Sequence, residues 1–163
     1  VVKNATLVKE GVTVEFESKI GEKGPIATNV IVVEEKLAKE CIYATFYENG
    51  NLFIDIFMKS AEKAALCFRE SGFKSSQFRS ILQALMQIGS AINSKRCSFE
   101  QGKVRFGAFY VEKIVRQFER KHLTKPVKDF FDVHKDIALS SQEEFLGLVT
   151  YFKNIYCYFG ESD

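Results

Sequence analysis

The sequence predicts an α+β protein, mostly α, in which a β-rich segment over residues 1–50 is followed by a five-helix bundle over residues 51–163. Two observations predict this division. Apolar residues alternate with a period of two in the first segment, whereas after Asn51 they recur every three to four residues. The composition agrees, because 16 phenylalanines and only 2 prolines suit packed helices that are seldom interrupted.

The β-rich segment contains three predicted strands separated by turn residues. Residues 12–17 alternate apolar and polar side chains, residues 21–25 form a turn cluster, and residues 26–33 are rich in β-branched side chains. A third strand is predicted over residues 41–47. It ends at the turn dipeptide of residues 49–50, which is Asn-Gly.

The first two helices are delimited by glycine and serine residues. In the first, apolar residues from Phe53 to Phe68 fall on one face, and Gly72 ends the helix. The second is predicted to begin after Ser75 or Ser76 as its N-cap. Its apolar stripe comprises Phe78, Ile81, Leu82, Leu85, Ile88 and Ile92.

The other three helices follow in close succession. A third is predicted from Phe99 to Lys121, a fourth restarts at residues 124–126, and residues 140–144 provide a capping box for the fifth. The inward face of the third helix is predicted from the alternating four-three spacing of its apolar residues. This face comprises Val104, Ala108, Val111, Val115 and Phe118.

Positive charge is concentrated in one part of the chain. The whole chain carries a formal net charge of +2, which by itself says little about partners. Between Lys95 and Lys128, however, ten basic residues face only three acidic ones, so the remainder of the chain is net acidic by five. Such an asymmetry favours a polyanionic partner.

Four basic residues of the third helix lie away from its predicted apolar stripe. A row of this kind is suited to contacts with a phosphate backbone, which add affinity that depends on salt and not on sequence. A solvated face on which Glu112 and Glu119 pair locally explains the same charges, and both interpretations stay open. The four residues are Arg105, Lys113, Arg116 and Arg120.

Aromatic side chains alternate with these charges along the third helix. Phe106, Phe109 and Tyr110 have the surface needed to stack on nucleic-acid bases. They are equally suited to packing against neighbouring helices. Since the chain contains so many phenylalanines, we favour burial for all three.

The sequence contains no motif that carries catalysis or binds a metal. It lacks a Gly-rich phosphate loop, HExxH, GxSxG and a paired-cysteine metal spacing. The two histidines, His122 and His134, lie beside apolar helix faces, which favours structural roles. We therefore expect no enzyme activity, no metal and no cofactor.

The cysteines and the hydropathy pattern indicate where the protein works. Four cysteines are far apart and embedded in apolar or amphipathic sequence, which is typical of reduced thiols in a cytoplasmic protein. No run of 18 apolar residues and no signal peptide is present. The sequence therefore predicts a cytoplasmic protein without a membrane span.

One stretch resembles a known nucleic-acid-binding fold. Residues 7–17, which read LVKEGVTVEFE, and residues 23–30, which read KGPIATNV, are similar to the last two strands of a cold-shock domain. The aromatic motifs with which that family stacks on RNA belong to its earlier strands. The resemblance therefore implies a partial OB-type fold that lacks that family's binding face.

Residues 51–160 resemble the small, all-helical subunit of type III-A (Csm-type) CRISPR–Cas effector complexes. Three motifs carry the resemblance: residues 72–79 (GFKSSQFR), residues 103–106 (KVRF) and residues 144–153 (EFLGLVTYFK). Where that family has A-G-R after the aromatics of its third helix, this chain has YVEK, so that Lys113 stands in place of the arginine.

The resemblance implies a non-catalytic subunit that contacts RNA in a ribonucleoprotein. It would help hold target RNA along the crRNA through sequence-independent backbone contacts, beside the backbone and large subunits of the type III complex. A homodimer or stacked copies are further implied partners. The implied RNA-binding residues are Lys74, Arg79, Lys103, Arg105, Lys113, Arg116 and Arg120.

Three alternatives are left open by the sequence. Arg79 is equally suited to pairing with an internal carboxylate of the protein. The whole chain is alternatively a cold-shock-like RNA chaperone with a helical dimerisation module. A helical adaptor without any role in RNA binding is the third interpretation, and salt-dependent RNA binding separates it from the other two.

Overall fold

The computed structural model describes residues 2–3, 14–32 and 36–160. The chain divides into two compact units. The first covers residues 1–35 and contains a small β-sheet, and the second covers residues 36–163 and contains the helices. The fold is therefore mostly helical with a small β component, which confirms the coarse prediction.

The boundary between the units lies after residue 35, earlier than the predicted boundary after residue 50. Residues 36–50 belong with the helices because Leu37, Cys41 and Phe46 are buried in the same hydrophobic core. The strand predicted over residues 41–47 is wrong. The stretch begins with the 3₁₀ turn Lys39–Cys41 and continues largely as irregular chain, since its apolar side chains point into a helical core and not onto a sheet face.

The β-sheet of the first unit has the strand order β1-β3-β2. Strands β2 and β3 form an antiparallel hairpin with a bulge between Glu15 and Glu17, and β1 pairs with β3 in parallel. Their bounds are Val2–Lys3 for β1, Val14–Gly21 for β2 and Gly24–Val32 for β3.

This hairpin confirms the two predicted strands and the turn cluster between them. Gly24 has a φ of 121°, a conformation that glycine adopts without the steric cost of a Cβ. Residues 7–13 of the cold-shock resemblance, and Val33 at the end of the second predicted strand, lie outside the described residues. The described part is a hairpin, which many β folds share, so the OB-type assignment stays a prediction.

A second, two-stranded hairpin precedes the helices. Strand β4 is Tyr47–Glu48 and strand β5 is Asn51–Leu52. The predicted turn dipeptide joins them, and both Asn49 and Gly50 have positive φ, at 51° and 80°. Asn-Gly suits this turn because two successive left-handed residues match the twist of a tight hairpin.

Within the described residues, five helices form the second unit, as predicted, but the first begins at Lys59 and not near Phe53, because Ile54–Ile56 forms a separate 3₁₀ turn. Ser98 caps α3 in a reciprocal capping box with Gln101, and the Ser141 side chain accepts from the Glu144 backbone N–H to cap α5. The N-cap of α2 is Lys74, one residue before the predicted serines. The helices are α1 (Lys59–Glu70), α2 (Ser75–Asn93), α3 (residues 99–119), α4 (Lys125–Ala138) and α5 (Gln142–Phe159).

Aromatic rings from four helices meet around α5. The ring of Phe152 lies 4.7 Å from that of Phe78 in α2 and 4.9 Å from that of Phe131 in α4, measured between centroids. Phe68 of α1 joins the same cluster at 6.5 Å from Phe152. Eleven of the 16 phenylalanines are buried, and burial of each such ring contributes about 1.5–3 kcal/mol.

The α3 helix is interrupted by a π-helical segment. It is a regular α-helix over Phe99–Phe109, becomes a π-helix over Tyr110–Val115 and ends with the turn Arg116–Glu119. In the π segment the backbone N–H of Arg116 donates to the carbonyl of Val111, five residues earlier. A π segment adds one residue to a turn, so it shifts the face on which later residues lie.

The inward face predicted for α3 is therefore wrong for Val104, Ala108 and Val111, whereas Val115 and Phe118 are partly buried. Val104 is 75% exposed and Val111 is 57% exposed. The buried residues of α3 are instead Gly102, Phe106, Phe109 and Ile114. The step of five from Phe109 to Ile114 cannot lie on one face of a regular α-helix, and the π segment accommodates it.

His134 ties residues 36–50 to α4 from inside the core. It is fully buried, its Nδ1 lies 2.7 Å from the Phe130 carbonyl, and its Nε2 accepts from the Tyr43 backbone N–H at 3.1 Å. This pair of partners requires a neutral ring protonated on Nδ1. Burial lowers the pKa of His134 to about 4, against the opposing effect of the bond to Phe130. The structural role predicted for His134 is confirmed.

We expect the protein to lose stability as pH falls from 6.5 towards 4. Over this range the unfolded chain takes up a proton on His134 while the folded protein keeps the ring neutral, so folding opposes protonation. The loss attributable to His134 reaches about 3 kcal/mol. Urea unfolding at several pH values checks this, since His134→Gln should flatten the dependence. His122→Gln, which changes an exposed histidine, should leave it in place.

Helices α2 and α3 lie close together at Gly102. A Cβ at this position would lie 2.7 Å from Cγ1 of Ile92, which is itself buried. At Gly107, further along the same helix, a Cβ would meet no atom within 4 Å. The two glycines are therefore a matched pair in one helix. Gly102 is needed for close packing, whereas at Gly107 there is room for a side chain.

Gly102→Ala is expected to lower the free energy of unfolding by about 1–2 kcal/mol, because the added methyl group overpacks the contact with Ile92. Gly107→Ala is expected to raise it by about 0.5–1 kcal/mol through the better helix propensity of alanine. Chemical denaturation of the two variants and the parent protein measures both changes. A stabilised Gly102→Ala variant would contradict the close approach.

Candidate nucleic-acid interface

One face of α3 is turned away from the bundle, between two flanks that contact other helices. On the first flank Lys113 Nζ donates to Ser80 Oγ of α2 at 3.2 Å. On the second the Tyr110 hydroxyl donates to Asp132 of α4. The exposed charged residues of the outward face are Arg105, Glu112, Arg116, Glu119 and Arg120.

The aromatic residues of α3 face into the protein. Phe106 and Phe109 are buried, their ring centroids lie 5.6 Å apart, and Phe109 packs at 5.7 Å from Phe131. Tyr110 is half-buried, and its hydroxyl is held by Asp132. The prediction that these three aromatic residues pack in the core is confirmed for the two phenylalanines, and none of the three rings is open for base stacking.

Asp132 holds a small polar cluster between α3 and α4. Its carboxylate accepts from Tyr110 and from Lys128 Nζ, the latter at 2.6 Å. Burial opposes ionisation, yet the hydrogen bonds from Lys128 and Tyr110 hold the pKa of Asp132 below its usual value. Burial together with Asp132 raises the pKa of Tyr110. Lys135 Nζ lies over the Tyr110 ring, 4.9 Å from its centroid. The cluster fixes α4 against the π segment.

Three of the predicted RNA-binding residues are exposed and form no ion pair with any described residue. Arg105 lies on the outward face of α3, and Arg120 follows its last turn. Lys74 is the N-cap of α2, whose first turn contains no acidic residue. These three side chains present positive charge directly to solvent.

Two further predicted residues make ion pairs within α3. Lys103 Nζ lies 2.8 Å from Glu100, and an Arg116 guanidinium nitrogen lies 3.1 Å from Glu112. Local pairing is thus present for Glu112 as the alternative interpretation expected. Exposed pairs of this kind stabilise a protein by about 0–1 kcal/mol, so a phosphate group competes for both basic side chains.

Arg79 and Lys113 lie where α2 meets its neighbours. Arg79 is exposed, and its Nε donates to the Tyr156 hydroxyl of α5 at 3.4 Å. Lys113 is half-buried beside Ser80. The seven predicted residues therefore fall into two groups: Lys74 and Arg79 lie on α2, and the others lie along or at the end of α3.

The positive charge of this region is smaller than the sequence suggested. Lys125 pairs with Asp129, and Lys128 pairs with Asp132, both one turn apart on α4. The basic window ended at Lys128, immediately before these two carboxylates. The i,i+4 spacing on a helix places each aspartate beside its lysine.

Sequence patterns missed two features of the outward face. Lys121 is exposed next to Arg120, where a φ of 62° ends the helix, and it adds to the charge there. Val104, Ala108 and Val111 are exposed between the charged residues. The valines of this stripe favoured burial in the sequence pattern. Because Phe106 and Phe109 face the core instead, the valines face solvent.

Three further features of the described residues bear on function. No cluster of three or more His, Cys, Asp or Glu side chains among them is arranged to hold a metal ion. None of their helices has the length and apolar character needed to cross a membrane. Burial raises the pKa of the Cys41 thiol to about 12, so this cysteine stays protonated.

Comparisons with known proteins provide no evidence about the function of this chain. No family model, no curated protein and no solved structure matches this chain.

We expect the arginines without ion pairs to dominate binding to polyanions. Arg105→Ala and Arg120→Ala should each lower the salt concentration at which the protein elutes from heparin by more than Lys125→Ala or Lys128→Ala does. The reason is that Asp129 and Asp132 already neutralise those two lysines. Heparin chromatography of the four variants, which all lose one positive charge, makes the comparison. Equal shifts for all four would show that only net charge matters.

Proposed function

We propose that this chain is a non-catalytic, RNA-contacting small subunit of a type III CRISPR–Cas ribonucleoprotein that acts in the cytoplasm. In this role it helps hold target RNA along the crRNA through contacts with backbone phosphates. Its protein partners are the backbone and large subunits of the complex and neighbouring copies of itself. The resemblance of residues 72–79, 103–106 and 144–153 to that family supplies the identity of the complex.

The observation that carries the RNA contact is the opposite orientation of charges and rings on α3. Arg105, Arg116 and Arg120 are exposed, while Phe106 and Phe109 are buried. Specific reading of single-stranded RNA depends largely on stacking bases against exposed aromatic rings. A face with arginines and without open rings instead favours phosphate contacts, which carry no sequence information.

The row of arginines has a length suited to a nucleic-acid strand. From Arg105 to Arg120 the helix axis rises by roughly 20 Å, slightly less than a regular α-helix of this length because of the π segment. Over that distance a strand presents several phosphates. Arginine forms bidentate hydrogen bonds with phosphate, which favours this residue over lysine for such contacts. Lys74 is the N-cap of α2, and the backbone dipoles at this N-terminus also favour a negatively charged phosphate.

The motif at residues 72–79 has a clear structural basis. Gly72 adopts a φ of 83° to end α1, and Phe73 is buried against Phe68 and Phe78, with ring centroids 6.2 Å and 5.5 Å away. These contacts fix the turn between α1 and α2. This turn also fixes the positions of Lys74 and Arg79, which are both exposed.

The triple variant Arg105→Glu, Arg116→Glu, Arg120→Glu is expected to abolish measurable binding to single-stranded RNA at physiological salt. Binding of the parent protein should weaken with salt by a slope of about 0.7 per phosphate contact, and the variant should lose that dependence. Fluorescence anisotropy with a labelled RNA of mixed sequence measures both. RNAs of different sequence should bind the parent protein equally.

The matched control is Lys39→Glu, Lys63→Glu, Lys153→Glu, which changes three exposed basic residues elsewhere on the helical unit by the same total charge. It should bind RNA nearly as well as the parent protein. If the arginine variant retains full RNA binding, the phosphate-face proposal fails and the cold-shock-like alternative gains support. Co-purification of the tagged chain with crRNA and large CRISPR-associated proteins tests the complex itself.

A further inference from the structure

A group of exposed apolar side chains lies beside α1, on the side where it meets α5. Leu66 is 53% exposed, Tyr158 is 44% exposed and Met58 is 53% exposed. Phe57, also exposed, adjoins them, because the Tyr158 hydroxyl donates to the Phe57 carbonyl at 2.8 Å. Isolated exposed apolar residues are ordinary, but a contiguous group of this kind marks an interaction surface.

A cavity of about 220 Å³ lies beside Leu66 and Tyr158 at this surface. Its lining consists of four α1 residues at positions i, i+3, i+4 and i+7, together with Tyr158 of α5. Four helix residues at this spacing form the hole that receives a side chain from a facing helix in knobs-into-holes packing. The volume is below the range of most small-ligand sites, which favours a protruding side chain as the occupant. The four residues are Glu62, Ala65, Leu66 and Arg69.

We propose that this surface, formed by α1 around Leu66, is where two copies of the chain associate through antiparallel α1 helices. In such a pair Leu66 of each copy enters the cavity of the other. A two-fold axis between Ala65 and Leu66 makes the contact isologous, so that one patch serves both copies. The proposal concerns protein association alone and does not depend on the RNA contact.

Charge complementarity favours a second copy over an unrelated partner. With the axis between Ala65 and Leu66, Glu62 of one copy faces Arg69 of the other, and the pair occurs twice. Neither residue forms an ion pair with another described residue of its own chain, although Arg69 stacks over the Phe159 ring at 5.4 Å. The same surface therefore carries the apolar knob, the hole that fits it and both members of the flanking ion pair.

The size of the surface predicts a weak association. Stable dimers bury about 1,200–2,000 Å² in total, and one helix pair with its borders lies at the lower end of that range or below it. We therefore expect a monomer–dimer equilibrium that is visible at tens to hundreds of micromolar protein. Sedimentation equilibrium of the full chain without RNA over this concentration range measures it.

Substitutions that introduce or reverse a charge test the proposed dimer contact. Leu66→Glu should weaken dimerisation at least tenfold, since it places charge in an apolar hole, and Leu66 is exposed enough that the fold tolerates the change. Glu62→Arg and Arg69→Glu, each made alone, should also weaken it, because like charges then face each other. The double variant with both substitutions should restore the dimer.

Val104→Glu is the matched control, since Val104 is an exposed apolar residue on a different helix. It should leave dimerisation unchanged. A chain that remains monomeric at several hundred micromolar would overturn the proposal. A dimer that withstands Leu66→Glu, or one lost in the Val104 variant and not in the Leu66 variant, would overturn it as well. RNA binding by the Leu66 variant should equal that of the parent protein. The dimer proposal and the phosphate-face proposal can therefore fail independently of each other.

Discussion

The structure depends on the packing of aromatic rings from α1, α2 and α4 against α5. Phe152 contacts rings of all three neighbours, and Tyr151 beside it donates a hydrogen bond to the Cys41 carbonyl at 2.7 Å, which fixes residues 36–50. Large rigid rings pack in few ways, so each helix has little freedom to rotate about its own axis. Gly147 contributes on the same helix, because Phe46 packs directly against its backbone.

The phase of α3 follows from this core. Phe106 and Phe109 each place a ring against Phe145 or Phe131, and Ile114 is buried five residues further on. A regular α-helix cannot meet both requirements, and the π-helical segment over Tyr110–Val115 resolves the conflict. One consequence is that an apolar stripe faces solvent beside the arginines. Another is that Lys113 lies against α2 and not on the outward face.

Ion pairs within single helices reduce the positive charge that the helical unit presents to solvent. Of the ten basic residues between Lys95 and Lys128, four pair with a carboxylate one turn away on the same helix: Lys103, Arg116, Lys125 and Lys128. The two pairs on α3 are the more exposed, so they are weak in water and yield to a phosphate, whereas the two pairs on α4 are partly buried. The outward face of α3 is therefore suited to contacts that weaken with salt, as expected for contacts with the phosphate backbone of an RNA strand.

The sequence by itself determined the order of the elements, the five helices and most of their ends. These are local properties: Gly72, the Asn49-Gly50 turn and Ser141 act on the backbone within a few residues of themselves. The burial of Phe106 and Phe109 and the structural role of His134 were also predictable from composition and context. Only the tertiary structure decided that residues 36–50 join the helical core and which face of α3 is buried. Those outcomes are set by rings that neighbouring helices bring together, and a periodic pattern within one helix does not contain that information.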